Sequence, residues 1–114
     1  MKTWCLTLDL HNDPDLIEKY KWYHQRENIW PEVVENIRGQ GILSEQIYCV
    51  ADRLFMVLET TDDFSFEAKA LIDAANPKMQ EWEELMWTFQ KPLPQAKPGE
   101  KWVLMEKIFE LERS

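Results

Sequence analysis

The chain is poor in the residues that build most recognisable sites. Of its 114 residues, 2 are cysteines, 2 are histidines and 3 are glycines. Cys5 and Cys49 lie in apolar, strand-like runs with no Cys-x-x-Cys spacing. A disulfide framework and a zinc site are therefore not expected, and two buried, reduced thiols are. His11 and His24 are too far apart for one helical turn to aim both at one metal. No Gly-rich phosphate cradle, nucleophile elbow or Ser/His/Asp order is present to exploit. Positive charge is also short: 13 Lys and Arg stand against 21 Asp and Glu, a net charge of −8. That balance argues against nucleic acid, which needs a cationic surplus to displace phosphate counterions, and against an anionic membrane surface. No apolar run approaches the ~20 residues that cross a bilayer. The opening "MKTWCLTLDL" carries no charged-then-apolar leader, so the expected location is cytoplasmic.

What is present suits one globular unit, residues 1–114. The hydrophobic fraction is 45%, and a chain of this size can bury about 65% of its unfolded surface. In the first run Trp4, Leu6, Leu8 and Leu10 alternate with Cys5, Thr7 and Asp9, the period of a half-buried strand. Asp13 as N-cap and Pro14 at the first helical position predict a helix to about His24. Pro31 opens a second helical piece that Gly39 and Gly41 terminate. "ILSEQIYCV" and "LFMVLET", joined by "ADR", predict an antiparallel hairpin. Helix is expected again from about Asp63 to Gln90, broken near Asn76 and Pro77. "KPLPQAKPGE" is loop, and "KWVLMEKIFEL" is the last strand candidate. The order β-α-β-β-α-β predicts a ferredoxin-like α+β fold, a four-stranded antiparallel sheet with helices on one face. The last strand carries bulk on both faces, so the second sheet face needs a cover. An identical sheet would supply one, which predicts a homodimer.

Chemistry concentrates in "YKWYHQRENIWPE", residues 20 to 32. Leu16, Tyr20 and His24 fall at i, i+4 and i+8, which puts a phenol and an imidazole one turn apart on one helix face. An imidazole near its ordinary pKa of about 6.5 can give and take a proton at neutral pH. The same spacing equally describes a half-buried histidine packed on tyrosine, and both readings stand. Met79, Trp82, Met86 and Phe89 form an ordinary core stripe, while Glu83 and Trp87 share another side of that helix. An indole beside a carboxylate resembles a sugar platform, though tryptophan at helical spacing also serves plain packing. Glu45 and Glu59, in the hairpin, face inward or sit on solvated strand positions; alternation alone leaves this open.

These pieces together resemble the L-rhamnose mutarotase family of small dimeric ferredoxin-like proteins. The resemblance spans nearly the whole chain. It is carried by Tyr-x-x-x-His at Tyr20 and His24, "IWPE" at 29–32, "IY" at 47–48, "LF" ahead of Glu59, and "QEWEELM" at 80–86. It implies a dimeric α/β-barrel type of assembly and an isomerase that interconverts the α and β anomers of a deoxyhexose. It also implies His24 as the catalytic proton donor, Tyr20 as a substrate-binding tyrosine, and Trp82 as the first of two adjacent substrate-contacting tryptophans. No cofactor or metal is implied. Three departures stand out: Glu83 replaces the second tryptophan, Glu45 replaces a hairpin tyrosine, and two extra residues separate His24 from Ile29.

Exchanging two aromatic contacts for carboxylates trades stacking surface for hydroxyl acceptors, so Glu45 and Glu83 are expected to bind substrate. The expected substrate is L-fucose or L-rhamnose, with the proton chemistry left at His24. Two other classes share the expected architecture: a haem-handling or oxygen-dependent monooxygenase, by fold analogy alone, and a non-catalytic sugar-binding module.

Overall fold

The computed structural model describes residues 1–112. Strand β1 (Lys2–Leu10) pairs antiparallel with β3 (Arg53–Thr60), and β3 pairs with β2 (Ile42–Val50). On the far side of β1 lie two short pieces, β4 (Gln90–Lys91) and β5 (Val103–Leu104). The strand order is β2-β3-β1-β4, with β5 also on β1, the ferredoxin-like arrangement with its fourth strand position split in two. Period two sorts the strands as expected: Leu6, Leu8, Leu10, Leu54, Met56 and Leu58 are buried on one face. Each such leucine removed from water contributes about 1.5–3 kcal/mol.

Four helices cover that buried face. Asp13 caps α1 (Pro14–Tyr23) by accepting from the backbone N–H of Asp15 at 2.9 Å and of Leu16 at 3.3 Å. α2 (Pro31–Arg38) follows, closing at Gly39. Gly39 stays right-handed; the left-handed residue is Gly41, at φ 84°. Ser65 caps α3 (Phe66–Ala74), so that helix starts later than expected, and Asp63 is spent accepting from the Thr61 hydroxyl at 2.6 Å. The break at Asn76 and Pro77 is real: Asn76 accepts from the N–H of Lys78 and Met79 and starts α4 (Pro77–Trp87).

Three expectations need correction. The sheet has five strands rather than four, because Gln90 and Lys91, inside the expected helix and loop, pair with Leu10 and Asp9. The final run is a strand only at Val103–Leu104, followed by one bond from Met105 N–H to the Cys5 carbonyl at 2.8 Å. Beyond it no strand among the described residues supplies a ladder partner, and Ile108 and Phe109 are 89% and 77% exposed. Finally, the cysteines are free but not buried: Cys5 is half-buried and Cys49 exposed. The alternation that suggested burial is met on β2 only at its start, near Ile42. The second sheet face holds the rungs Cys5–Val57–Gln46 and Thr7–Phe55–Tyr48.

Candidate active site

His24 is the C-cap of α1, and its Nδ1 lies 2.7 Å from the Tyr20 carbonyl oxygen. A carbonyl can only accept, so Nδ1 carries the proton, and Nε2 of the neutral ring presents a lone pair. The bond fills one of the carbonyls that a helix end leaves without a partner. Burial pushes the His24 pKa below its ordinary value, against the smaller raising effect of that carbonyl bond. The result is a neutral base held in one tautomer. Its ring packs on Tyr20 with centroids 4.3 Å apart and meets Trp82 edge-on at 5.5 Å.

Tyr20 is buried, at 3% exposure. Gln90 Nε2 donates to its phenol oxygen at 3.4 Å, which leaves the phenol O–H free to donate elsewhere. Burial pushes its pKa up to about 12; the charge of Glu45 adds to this and the Gln90 bond opposes it. Tyr20 therefore remains a hydrogen-bond donor across the physiological range.

Trp82 is a core residue as well as a wall. It packs with Trp30 at 5.2 Å and Tyr23 at 6.3 Å, both edge-on. One residue on, Glu83 accepts from Gln80 Nε2 at 3.2 Å. Lys101, on the loop before β5, donates to the Glu83 carbonyl at 3.2 Å and lies 4.7 Å from the Trp87 ring centroid. Burial lowers its pKa, with Glu83 opposing.

Glu45 reaches the interior through an irregularity. Ile42 faces Thr60 and Ser44 faces Glu59, a register shift around Leu43. Without it, inward-facing Ile42 would turn Ser44 inward and Glu45 outward; the bulge reverses this and aligns Glu45 with buried Leu58. Burial raises the Glu45 pKa; the Lys69 charge opposes this and the Asp73 charge adds to it. Asp73, itself 6% exposed, accepts from Asn36 at 2.8 Å, Gln40 at 2.6 Å and Lys69 at 2.7 Å. Three donors, two from the end of α2 and the turn after it, and one from α3, thus converge on one buried carboxylate.

These groups meet in one cavity of about 280 Å³ between helices and sheet, the scale of a single small ligand. His24, Tyr20, Trp82, Glu83 and Glu45 all line it. Glu59 does not: it is paired with Ser44 and Thr3 and points to the opposite sheet face. The wall also holds Gln90, Lys69, Asp73 and Lys101, none of which sequence reasoning picked out. Lys69 and Asp73 are an i, i+4 pair on α3, a detectable signal that reads first as a surface ion pair. Gln90 and Lys101 sit where the end of a helix and the start of a strand were expected, and carry no local signal.

The fold and the cavity define a class: a ferredoxin-like α+β protein with an inner pocket lined by aromatic rings, carboxylates and one neutral imidazole. The sequence model of the L-rhamnose mutarotase family matches residues 3–111, and the chain belongs to that family, whose members are carbohydrate isomerases. An L-fucose mutarotase of Xanthomonas campestris is 43% identical over 114 residues, covering 100% of this chain and 91% of that protein. A Dictyostelium discoideum protein is 36% identical over 115 residues, covering 97% of this chain and 90% of its own. Among solved structures, an L-rhamnose mutarotase from Formosa agariphila superposes with TM-score 0.70 at 18% identity, over 98% of this chain and 100% of that one. A tetracenomycin F2 cyclase from Streptomyces glaucescens superposes with TM-score 0.64 at 14% identity, covering 100% of both chains. At those identities the two structures speak for the fold.

Proposed function

We infer that this protein is a mutarotase that interconverts the α and β pyranose anomers of a 6-deoxy-L-hexose, with L-fucose ahead of L-rhamnose. Family membership and the L-fucose mutarotase at 43% identity support the substrate class. The observation that carries the mechanism is the His24 Nδ1–H bond to the Tyr20 carbonyl, which leaves a neutral ring with Nε2 unprotonated in the cavity. His24 takes the proton of the anomeric hydroxyl while the Tyr20 O–H donates to the ring oxygen. The bond from C1 to the ring oxygen breaks, and the imidazolium returns the proton to that oxygen. Both oxygens hang on C1, so one imidazole serves both transfers. Rotation about C1–C2 and the reverse sequence close the ring with the other configuration. Positioned proton transfer of this kind gives on the order of a hundredfold or more per group.

Trp82 supplies the apolar wall, and Glu83 and Glu45 accept from sugar hydroxyls. The working unit is the whole chain, as a homodimer. The second sheet face, with Phe55, Val57 and Cys5, and the exposed side chains of Ile108, Phe109 and Leu111 support a second copy as the cover. Two free cysteines suit the reducing cytoplasm, and no helix among the described residues is long and apolar enough to cross a membrane. An anomer-exchange screen by NMR over L-fucose, L-rhamnose and their hexose relatives tests the reading. Acceleration is expected for L-fucose first; no acceleration for any sugar would refute it.

A further inference from the structure

We propose that Lys69 is a specificity residue: its ammonium and the Glu45 carboxyl hold one sugar hydroxyl between them, on the side of the ring remote from the anomeric carbon. The inference rests on the mutarotase reading and adds a recognition site to it. Both side chains line the cavity. Lys69 donates to Asp73 at 2.7 Å, with side-chain exposures of 24% and 9%. An ammonium has three N–H groups, and among the described residues this is its one side-chain bond. Asp73 is pinned from the other side by Asn36 and Gln40, so Lys69 is preset rather than swinging. A pair facing outward would be cheaper to desolvate than one that holds its cation at the cavity wall.

Lys69 and Glu45 share the cavity wall and the Lys69 charge acts on Glu45, yet the ion pair of Lys69 is with Asp73. A ligand group that accepts from the ammonium and donates to the carboxylate fits between them. A hydroxyl does both; a methyl group or a ring oxygen cannot. Glu45 lines the same cavity as Tyr20 and His24 and as Lys69 and Asp73, and its charge acts on the Tyr20 phenol. With C1 at His24, the hydroxyl reaching Lys69 is the one at C3 or C4, where hexoses differ in stereochemistry.

The test compares L-fucose with its 3-deoxy and 4-deoxy analogues, reading kcat/KM for anomer exchange by NMR in wild type and Lys69→Met. Wild type is expected to lose about 10- to 100-fold on one analogue, the range for a charge-assisted hydrogen bond. Lys69→Met is expected to lose a similar factor on L-fucose and nothing further on that analogue. Lys69→Arg, which keeps a cation for Asp73, covers the case in which the methionine variant fails to fold; its altered donor geometry is expected to narrow the same preference. Equal losses on all three sugars, or an unchanged preference in both variants, would overturn the assignment. If wild type exchanges none of these sugars, the mutarotase reading fails first, and the wild-type control separates that failure from this one.

Discussion

The Tyr20 phenol offers a quantitative check on the dry, carboxylate-flanked character of the cavity. Its pKa is pushed from 10.0 to about 12, first by burial and then by the Glu45 charge. At pH 10 an ordinary phenol is half ionised, whereas this one is about 1% ionised. The unfolded chain has the ordinary pKa, so as pH rises past 10 the unfolded state loses its proton first. The stabilisation is therefore present in full below pH 10 and is lost between pH 10 and about 12. Two pKa units correspond to about 3 kcal/mol. Only 3 tyrosines are present, so the phenolate absorbance of wild type minus that of Tyr20→Phe isolates this one titration. A midpoint near 12 is expected, together with a stability advantage of wild type over the variant that shrinks by about 3 kcal/mol across that window. A difference midpoint near 10 would mean that water reaches the phenol, and the desolvated pocket would have to be given up.

Three further outcomes follow from the same geometry. Asp73→Ala strips the acceptor from three donors, one of them charged, and should cost about 3–5 kcal/mol in urea unfolding; a loss under about 1 kcal/mol would make the cluster a solvated face. Burial lowers the His24 pKa, so its stabilising effect is present above the unfolded value of about 6.5 and declines as pH falls below it. His24→Gln should flatten that decline in melting experiments, and an unchanged slope would contradict the buried, neutral ring. Gly41→Ala places a Cβ 2.8 Å from the Thr61 hydroxyl at φ +84° and should lower stability by about 1–3 kcal/mol, measured by thermal denaturation; a neutral effect would mean the turn can rearrange freely.

Local signals carried most of the fold. Asp13–Pro14 and Asn76–Pro77 are helix starts whose capping oxygens bond within three residues, so their physics is complete in a short window. The hairpin turn is equally local: Ala51 takes φ 52° and β2 meets β3 at Val50 and Arg53. Tyr20 and His24 were legible because i, i+4 spacing fixes a shared face wherever the helix sits. Glu45 was named through the resemblance alone; alternation left it open because its direction depends on the bulge at Leu43, and a bulge is set by pairing across the sheet rather than along one strand. Gln90 and Val103–Leu104 join the sheet only because β1 offers a free edge there. The rest of "KWVLMEKIFEL" has strand composition but no ladder partner among the described residues, and composition cannot supply one. Lys69 and Asp73 were hidden by their resemblance to an ordinary surface pair. Their burial comes from α2, which brings Asn36 against α3.

On the proposed mechanism, the neutral imidazole at the end of α1 moves the proton that opens the sugar ring. Saturation-transfer NMR on L-fucose reads exchange between the two anomers directly, with and without protein. Wild type should accelerate exchange well above the buffer rate, and His24→Ala, confirmed as folded, should return it to that rate. Full exchange activity in His24→Ala, or a buffer-level rate in wild type, would contradict the account.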